Sequence, residues 1–356
     1  MKISVPVALD DYPYSIEVGF GLRDQLSELL APLNKGQTFF VVSQQTILNH
    51  YQAVLDELEQ QGFKLIIQIV PADESAKNIS YAEKLWTAMV NSGCDRSTVV
   101  LALGGGVVGD LAGFVASTFM RGVDVVQIPT TLLAMIDSAI GGKTAINLPA
   151  GKNLVGRVYQ PKMVIVDPGF LQTLPERNVI SSLAEGIKYG FIKDKRIFDV
   201  MADRFEEMVA LNDQELLLDI IASSCQIKAQ VVVNDQFENG ERRLLNYGHT
   251  IGHALETIHA YQGLYHGEAV LYGMKCANHI SWSKGLLNDA EYQLAQSVLD
   301  KFPLPKLSDV QADQVLDIIT HDKKNINGKL HFILLDGLGN GAVSYTHLTL
   351  PTIYSV

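Results

Sequence analysis

The sequence has few cysteines and fewer basic than acidic residues. Its 356 residues include three cysteines, which are scattered and form no C-x-x-C pair. This spacing excludes a metal site built from cysteines alone and is typical of a reducing cytoplasm. The chain has 28 Lys and Arg against 39 Asp and Glu, a formal net charge of −11. That balance argues against nucleic acid as the main partner, and a phosphorylated substrate would need a local cluster of cations.

The sequence also lacks a long unbroken apolar segment. Its most apolar stretch, residues 98–119, is interrupted by five glycines and Asp110, which fits a buried strand, turn and helix better than a membrane span. Pro6, Asp10 and Asp11 stand where a signal peptide needs an apolar core. We therefore expect a cytoplasmic globular protein without a membrane partner, long enough for two domains.

Short apolar runs rich in Val and Ile alternate with helix-length segments in the first half of the chain. This alternation predicts an α/β domain over 1–175 with a mostly parallel sheet and a Rossmann-like nucleotide site. Two early runs, near 2–9 and 14–18, are expected to form an edge hairpin. The five later runs lie at 37–43, 64–70, 97–103, 123–129 and 162–167.

The pattern changes after about Pro175. Residues 176–322 have the 3.6-residue periodicity of consecutive helices, and a late strand is expected at 329–335. The sequence therefore predicts an all-α C-terminal metal-binding domain over 176–343.

A glycine-rich turn is the first candidate site. In LALGGGVVGDLAG, Gly104, Gly106 and Gly109 satisfy G-x-G-x-x-G between a predicted strand and a predicted helix. Bare backbone lets a pyrophosphate approach, and the helix N-terminus supplies N–H groups and partial positive charge. The motif alone is weak, and a purely structural turn is the alternative. No acidic residue ends the next strand, so the turn is not an ordinary Rossmann fingerprint.

The segment AIGGKTAIN invites comparison with a phosphate-binding P-loop. A P-loop needs Gly five residues before the Gly of its G-K-T, and that position is Asp137. The comparison therefore fails. Asp137 and Lys143, six residues apart around a Gly pair, remain a candidate site, with an exposed loop as the alternative.

Three histidines within 18 positions form a metal-like pattern. His249 and His253 are four apart, so a helix would place both on one face, and His266 follows. The zinc-protease motif H-E-x-x-H needs its base at Thr250, so that function is excluded. Two histidines and a carboxylate such as Glu185 form a known catalytic zinc set with an open position. The spacing alone does not decide which histidines are ligands.

Taken together, several motifs resemble those of the 3-dehydroquinate synthase family of sugar phosphate cyclases, from the N-terminus to about residue 342. They are GGGVVGD, RGV…QIPTTLLAMIDSAIGGKTAIN, GKNLVG, LAEGIKYG, LLNYGHTIGHALE, HGEAV and HDKK. The resemblance implies conversion of DAHP, a seven-carbon keto-acid phosphate, to 3-dehydroquinate and phosphate in the shikimate pathway. The implied steps are transient oxidation by bound NAD⁺, phosphate elimination, re-reduction and intramolecular aldol closure.

The resemblance also implies roles for individual residues. Zn²⁺ or Co²⁺ would be held by Glu185, His249 and His266, while His253 would face the substrate phosphate and support proton transfer. The other implied catalytic groups are Lys143, Asn246 and Asp137. The implied substrate-binding residues are Arg121, Lys152, Asn153, Lys188, Lys228, Arg242 and Lys323, the last chosen from the Lys323–Lys324 pair. Arg121 would reach the partner subunit's site, because the family is commonly dimeric, so a homodimer is expected.

The NAD site implied by the resemblance lies mainly in the first domain. Its residues would be Glu74, Lys77, Gly105, Gly106, Val107, Val108, Gly109, Asp110, Thr130, Thr131, Lys143, Lys152, Phe170 and Thr173. Two positions depart from the family pattern. Gln44 replaces an Asp after VVS, and Asp73 replaces the Gly of G-E-x-x-K, which puts the conformation of that loop in question.

Three other functions fit parts of the pattern. A metal-dependent NAD polyol dehydrogenase would share the nucleotide and metal sites, but it would need no phosphate cluster such as Lys152, Lys228 and Arg242. Another sugar phosphate cyclase, of the inosose or valiolone type, would differ in its substrate. A nucleotide-binding regulatory protein would bind without turnover.

The C-terminal residues depart from the family. The resemblance ends near Val343, and VSYTHLTLPTIYSV contains Pro351 and has no helical periodicity. It matches the translation of a transposase-based sequencing adapter. We therefore expect residues 344–356 to be a non-native tail that packs poorly, with a genuine divergent strand as the alternative.

Overall fold

The expected alternation of strands and helices is present in the structure, a computed structural model that describes residues 2–259, 263–307, 310–321 and 330–346. The chain divides into two compact units. The first contains the residues up to Leu174 together with 214–236, and the second contains 175–213 and the residues from Phe237 onward.

The first unit is built on a seven-stranded sheet. The strands of this unit are β1 (Lys2–Val7), β2 (Tyr14–Gly19), β3 (Thr38–Gln44), β4 (Lys64–Val70), β5 (Val99–Gly104), β6 (Asp124–Pro129), β7 (Lys143–Leu148), β8 (Gly151–Val158) and β9 (Met163–Val166). Seven of them form the sheet in the order β1-β2-β9-β6-β5-β3-β4, and they are parallel except for the β1–β2 hairpin at one edge. The mostly parallel sheet and the edge hairpin are therefore confirmed.

Helices and a second hairpin complete the first unit. Val100 and Ala102 of β5 pack in one apolar cluster with Leu111 and Val115 of helix α4 (Gly106–Thr118). β7 and β8 form an antiparallel hairpin that the sequence pattern did not predict, because its residues interleave polar and glycine positions. The helices of this unit are α1 (Leu26–Leu30), α2 (Gln45–Gln60), α3 (Ile79–Asn91), α4 (Gly106–Thr118) and α8 (Gln214–Asn234).

The assignment of α8 differs from the expected domain division at 175–176. This helix belongs to the first unit, where it packs against β1, β2 and the π-helical turn Ala134–Ser138. Among the described residues, α8 alone has the length and apolar composition of a membrane span, but 72% of its most apolar window is buried. That burial is typical of a core helix, because a helix covered on several sides is apolar on several sides.

The second unit is mostly helical, as expected. Its described helices are α5 (Glu176–Ile192), α6 (Lys195–Asp203), α7 (Phe205–Ala210), α9 (His249–Ile258), α10 (His266–Ser283), α11 (Asp289–Leu299) and α12 (Ala312–His321). The expected late strand is β10 (Leu330–Leu335), and it pairs antiparallel with β11 (Gly341–Thr346).

Three residues of the expected non-native tail pair with a strand of the second unit. Residues 344–346 continue β11, with Ser344 opposite Phe332 and Thr346 opposite Leu330. Backbone hydrogen bonds form the ladder, so its pairing depends less on side-chain identity than core packing does. Residues 347–356 lie outside the described part of the chain.

Candidate metal centre and nucleotide-binding turn

The glycine-rich turn joins β5 to α4 in the first unit. β5 ends at Gly104 and α4 begins at Gly106. A Cβ atom built on Gly105 would lie 3.0 Å from Thr131 Cγ2, and one on Gly106 would lie 2.9 Å from Ser138 Oγ. The turn therefore has no room for larger side chains, and it leaves the N-terminal N–H groups of α4 bare. Val107 and Val108 lie in that first helical turn, but the Val108 side chain is fully buried, so only its backbone could face a ligand.

A buried lysine ties this turn to two other segments. Lys77 Nζ is 2.7 Å from Asp110 Oδ2, 2.7 Å from Asn153 Oδ1 and 3.3 Å from Glu74 Oε1. Lys77 is 4% exposed. Burial disfavours its charge, but the attraction of Asp110 and Glu74 outweighs burial and raises the pKa of Lys77. The structure thus brings four of the predicted residues together.

Asn147 of β7 also belongs to this cluster, although the sequence analysis did not select it. Its amide donates to Glu74 Oε1 at 2.9 Å, its Oδ1 accepts from the Asn153 N–H at 2.9 Å, and its N–H donates to the Lys77 carbonyl at 2.7 Å. The β7–β8 hairpin, which the sequence did not predict, therefore supplies Asn147, whose hydrogen bonds hold the backbone of Lys77 and Asn153. In the sequence, its place at the end of AIGGKTAIN was the only available signal.

The two departures from the family pattern are both accommodated. Asp73 has an extended backbone (φ −121°), and its Oδ1 accepts from the Ser75 N–H at 2.8 Å, which caps the short 3₁₀ turn Glu74–Ala76. Glycine is therefore not required there. Gln44 is buried, and its amide donates to the Pro71 carbonyl at 3.2 Å.

Four other residues predicted to contact the nucleotide occupy two places. Thr131 Oγ1 accepts from the Ala134 N–H at 3.3 Å, and Thr130 is buried beside it. Phe170 and Thr173 lie instead against Tyr51 of α2, whose hydroxyl donates to the Phe170 carbonyl at 3.1 Å and is 3.2 Å from Thr173 Oγ1. The Phe170 ring is 1% exposed, so only its backbone could contact a ligand.

α8 brings a buried cation to the segment that resembled a P-loop. Lys228 is 5% exposed, and its Nζ donates to Asp137 Oδ1 at 2.5 Å and to the Asp137 carbonyl at 2.6 Å. Lys143 is exposed at the start of β7, Lys152 is half-buried on β8, and Arg121 is exposed after α4.

In the second unit, the Glu185 carboxylate is completely buried on α5. The Lys188 ammonium lies against its Oε2, whereas no described residue donates a hydrogen bond to its Oε1. A buried carboxylate oxygen without a donor is costly, so the position beside Oε1 favours a further cation. The imidazoles of His249 and His266 also face it, at 3.5 Å and 3.8 Å from their Nε2 atoms to Oε1.

Both imidazoles are oriented by contacts at their other nitrogen. His249 Nδ1 is 3.0 Å from the Tyr247 carbonyl, and His266 Nδ1 is 3.3 Å from Glu256 Oε2. Burial and the nearby Lys188 hold the pKa of His249 well below its usual range, so this ring is neutral at neutral pH. Burial lowers the pKa of His266, but the hydrogen bond and charge of Glu256 outweigh it and raise the pKa. One ligand atom each from Glu185, His249 and His266 lies within 4.8 Å of the others.

Close helix packing places the two facing histidines. Gly248 has φ +78°, which ends the preceding segment and lets α9 begin at His249. A Cβ on Gly267 would lie 1.7 Å from the Ser181 carbonyl, so only glycine lets α10 approach α5 here. Glu268 fixes the start of α10 by accepting from the Tyr265 N–H at 2.8 Å and from Arg177 Nε at 2.7 Å.

His253 lies one turn along α9 from His249. Its ring centroid is 5.4 Å from that of His249 and 6.1 Å from that of His266. With Glu256 and His266 it forms a second group whose ligand atoms lie within 4.8 Å of one another. Glu256 was not selected from the sequence. Its i+3 spacing from His253 was the available signal.

Two of the remaining predicted residues of this unit, Arg242 and Asn246, lie in the 3₁₀ segment Glu241–Asn246. Arg242 is 1% exposed, and the Asn246 amide donates to Glu238. Lys188 is also 1% exposed. The predicted Lys323 lies outside the described residues.

Comparison with known proteins assigns the family. Models of the N-terminal and C-terminal parts of 3-dehydroquinate synthase match residues 67–181 and 182–325. A 3-dehydroquinate synthase from Rippkaea orientalis (strain PCC 8801 / RF-1) is 42% identical over 351 residues, covering 97% of this chain and 95% of that protein. The chain belongs to the 3-dehydroquinate synthase family.

Two solved structures of sugar phosphate cyclases share the fold. A 2-epi-5-epi-valiolone synthase from Streptomyces hygroscopicus subsp. jinggangensis 5008, with NAD⁺ and Zn²⁺ bound, is 28% identical with a TM-score of 0.88, covering 98% of this chain and 96% of that one. A 2-deoxy-scyllo-inosose synthase, complexed with carbaglucose-6-phosphate, NAD⁺ and Co²⁺, is 26% identical with a TM-score of 0.83, covering 99% and 98%.

Replacing Lys77 tests the buried charge cluster. We expect Lys77→Met to lower the free energy of unfolding by about 3 kcal/mol, because it leaves Asp110 and Glu74 facing each other without a cation. Denaturant unfolding at neutral pH measures the change, with exposed Lys35→Met as the control. Equal stability of both variants would show that the cluster is not a stabilising ion pair.

Proposed function

We propose that this chain is a 3-dehydroquinate synthase, a phosphate-eliminating carbon–oxygen lyase that converts DAHP to 3-dehydroquinate and phosphate. The observation that carries the proposal is the buried cation of Lys188, which lies against the Glu185 carboxylate that His249 and His266 also face. Such a cation suits an anionic substrate group close to a metal. The level of identity to the family, maintained over nearly the whole chain, supports the same reaction.

The residues of the second unit fit a resident metal. Glu185, whose buried Oε1 has no donor among the described residues, would hold it together with His249 and His266. Two imidazoles and a carboxylate are a catalytic set for zinc-like ions and leave a position open. A bound Zn²⁺ or Co²⁺ would supply Lewis acidity at a substrate hydroxyl. His253 would stay outside the ligand set and transfer a proton near the substrate phosphate.

The residues of the first unit fit a resident NAD⁺. The bare glycine turn and the start of α4 suit a pyrophosphate, and the Lys77 cluster holds Asp110 at that turn. NAD⁺ would supply reversible hydride transfer within one catalytic cycle. Lys143 would join these residues at the cofactor, and Lys152, Asn153 and Lys228 would bind substrate groups, with Asp137 orienting them. In the second unit, Arg242 would bind a substrate group and Asn246 would orient one. The three free cysteines support a cytoplasmic location.

Buried cations weigh against the dehydrogenase alternative. A polyol is neutral, so its enzyme gains nothing from the desolvated charges of Lys188, Lys228 and Arg242. Another sugar phosphate cyclase would bind a phosphate but not a keto acid. The higher identity to 3-dehydroquinate synthases, 42% against 28% and 26%, favours the keto acid.

Turnover with limiting cofactor tests the reaction. We expect the metal-loaded enzyme, given DAHP and substoichiometric NAD⁺, to release many equivalents of phosphate per NAD⁺ with no lasting NADH absorbance. Phosphate and dehydroquinate are measured together. NADH accumulating in proportion to product would indicate a dehydrogenase. Phosphate release from a hexose phosphate, but not from DAHP, would indicate another cyclase.

Histidine variants test the proposed metal set. We expect His249→Ala and His266→Ala to lose bound metal, because two protein ligands seldom hold a catalytic ion. His253→Ala should keep the metal and lose turnover by about 10²- to 10⁴-fold, as expected for an assistant in proton transfer. Metal per chain is measured by elemental analysis after dialysis, with His279→Ala as the control. Metal loss in His253→Ala, with retention in His249→Ala, would reverse the assignment.

We also propose a homodimer in which Arg121 serves the partner's site. Met120 and Arg121 have φ values of 47° and 73°, a costly conformation that often marks a functional segment. Beside them is a groove of about 520 Å³, whose lining includes Trp86, Val90 and Met120. Val90 is 63% exposed and Met120 is 43% exposed, which supports burial against a second copy.

Mixed subunits test that arrangement. Arg121→Ala and His249→Ala should each be inactive alone. Their co-expression should restore roughly a quarter of wild-type activity, because half of randomly paired dimers carry one complete site of two. Activity per subunit and molar mass in solution are measured. No restoration in a confirmed mixed dimer would place Arg121 at its own subunit's site.

A further inference from the structure

One imidazole of the candidate metal centre lies between two buried carboxylates. His266 Nδ1 is 3.3 Å from Glu256 Oε2, while its Nε2 is 3.8 Å from Glu185 Oε1. Glu256 is 6% exposed and lies on α9, whereas Glu185 is fully buried on α5. The two carboxylates therefore meet opposite nitrogens of the same ring.

The two nitrogens of a neutral imidazole have different roles. One carries a hydrogen and donates it, and the other offers the lone pair that a metal needs. A hydrogen bond from Nδ1 to Glu256 leaves the lone pair on Nε2, facing Glu185. His249 has the matching arrangement, with Nδ1 at the Tyr247 carbonyl and Nε2 towards the same carboxylate. Both rings thus present the same kind of atom to one point.

Glu256 could instead be a ligand in the group that it forms with His253 and His266. The surroundings of the two carboxylates argue against this. Glu256 already has the His266 ring as a hydrogen-bond partner at its Oε2, whereas no described residue donates to the buried Oε1 of Glu185. The need for a cation is therefore greater at Glu185.

We propose that Glu256 is a positioning residue for the metal centre: it accepts the Nδ1 hydrogen of His266 and so directs Nε2 towards Glu185. This inference rests on the proposed metal set of Glu185, His249 and His266. The proposal also accounts for the spacing of three residues on α9. His249, His253 and Glu256 are at i, i+4 and i+7, so they share one helix face.

Metal affinity without substrate tests this role. Zn²⁺ binding is measured by competition with a chromogenic chelator for the wild-type chain, Glu256→Ala and Glu256→Gln. We expect Glu256→Ala to lose roughly 10- to 100-fold in affinity, the usual effect of removing a partner that orients a ligand. Glu256→Gln keeps an acceptor oxygen but loses the charge, so we expect a smaller loss, about tenfold.

A matched control and a stability measurement separate positioning from folding. Glu291 of α11 accepts a hydrogen bond from the Asn288 N–H at 3.1 Å, so Glu291→Gln removes a carboxylate from the same unit without touching a histidine. We expect it to bind Zn²⁺ as the wild type does. Melting of each metal-free variant measures folding. If Glu256→Ala does not fold, the nearly isosteric Glu256→Gln carries the test alone.

Three outcomes would overturn the proposal. Wild-type Zn²⁺ affinity in Glu256→Ala, or in Glu256→Gln where Ala does not fold, would remove the positioning role and leave the proposed reaction standing. Loss of Zn²⁺ in both Glu256 variants, with retention in Glu185→Gln, would make Glu256 a ligand of the other group. A wild-type chain that binds no Zn²⁺ would remove the proposed metal set together with this inference.

Discussion

Burial of the Glu185 carboxylate is the constraint on which the second unit's candidate site depends. A charged carboxylate without a compensating cation costs several kcal/mol in a protein interior. Lys188 is therefore held against one oxygen, and the two imidazoles face the other. That arrangement requires α10 to approach α5 at a glycine, because a Cβ on Gly267 would overlap the Ser181 carbonyl. The glycine contact and the charges around Glu185 therefore both require α10 to lie close to α5 at this point.

The first unit handles a buried charge differently. Lys77 has two carboxylates and an amide oxygen around its ammonium, so its positive charge is compensated by the chain itself. Glu185 has Lys188 against its Oε2 but no donor for its Oε1 among the described residues. This difference separates a cluster that organises a loop from a cluster that favours an added cation. Asp73 is tolerated in this first unit because its side chain caps the turn that presents Glu74 and Lys77.

Some features followed from sequence and others could not. Buried parallel strands are continuous Val and Ile runs, so β3 to β6 were predicted within one or two residues. The β7–β8 hairpin was missed because its polar and glycine residues have no clear alternation. The unit to which α8 belongs was also missed, because helical periodicity shows that a helix is buried but not what covers it. In the candidate site, residue types were enough to suggest that His249 and Glu185 lie together. Asn147 and Glu256 were missed, because their contacts with Glu74, Asn153 and His266 arise only when the chain folds.

The histidine spacing gains its meaning from the contacts at each ring. His249 and His253 share a face of α9, so spacing alone makes them equivalent. The Tyr247 carbonyl distinguishes them, because its contact with His249 Nδ1 leaves Nε2 for Glu185. Burial then keeps the pKa of His249 low, which suits a neutral ligand. His253 is only half-buried, and a ring with access to solvent can exchange protons. One helical turn therefore places the proposed ligand and the proposed proton carrier side by side, and the contact with the Tyr247 carbonyl distinguishes the two rings.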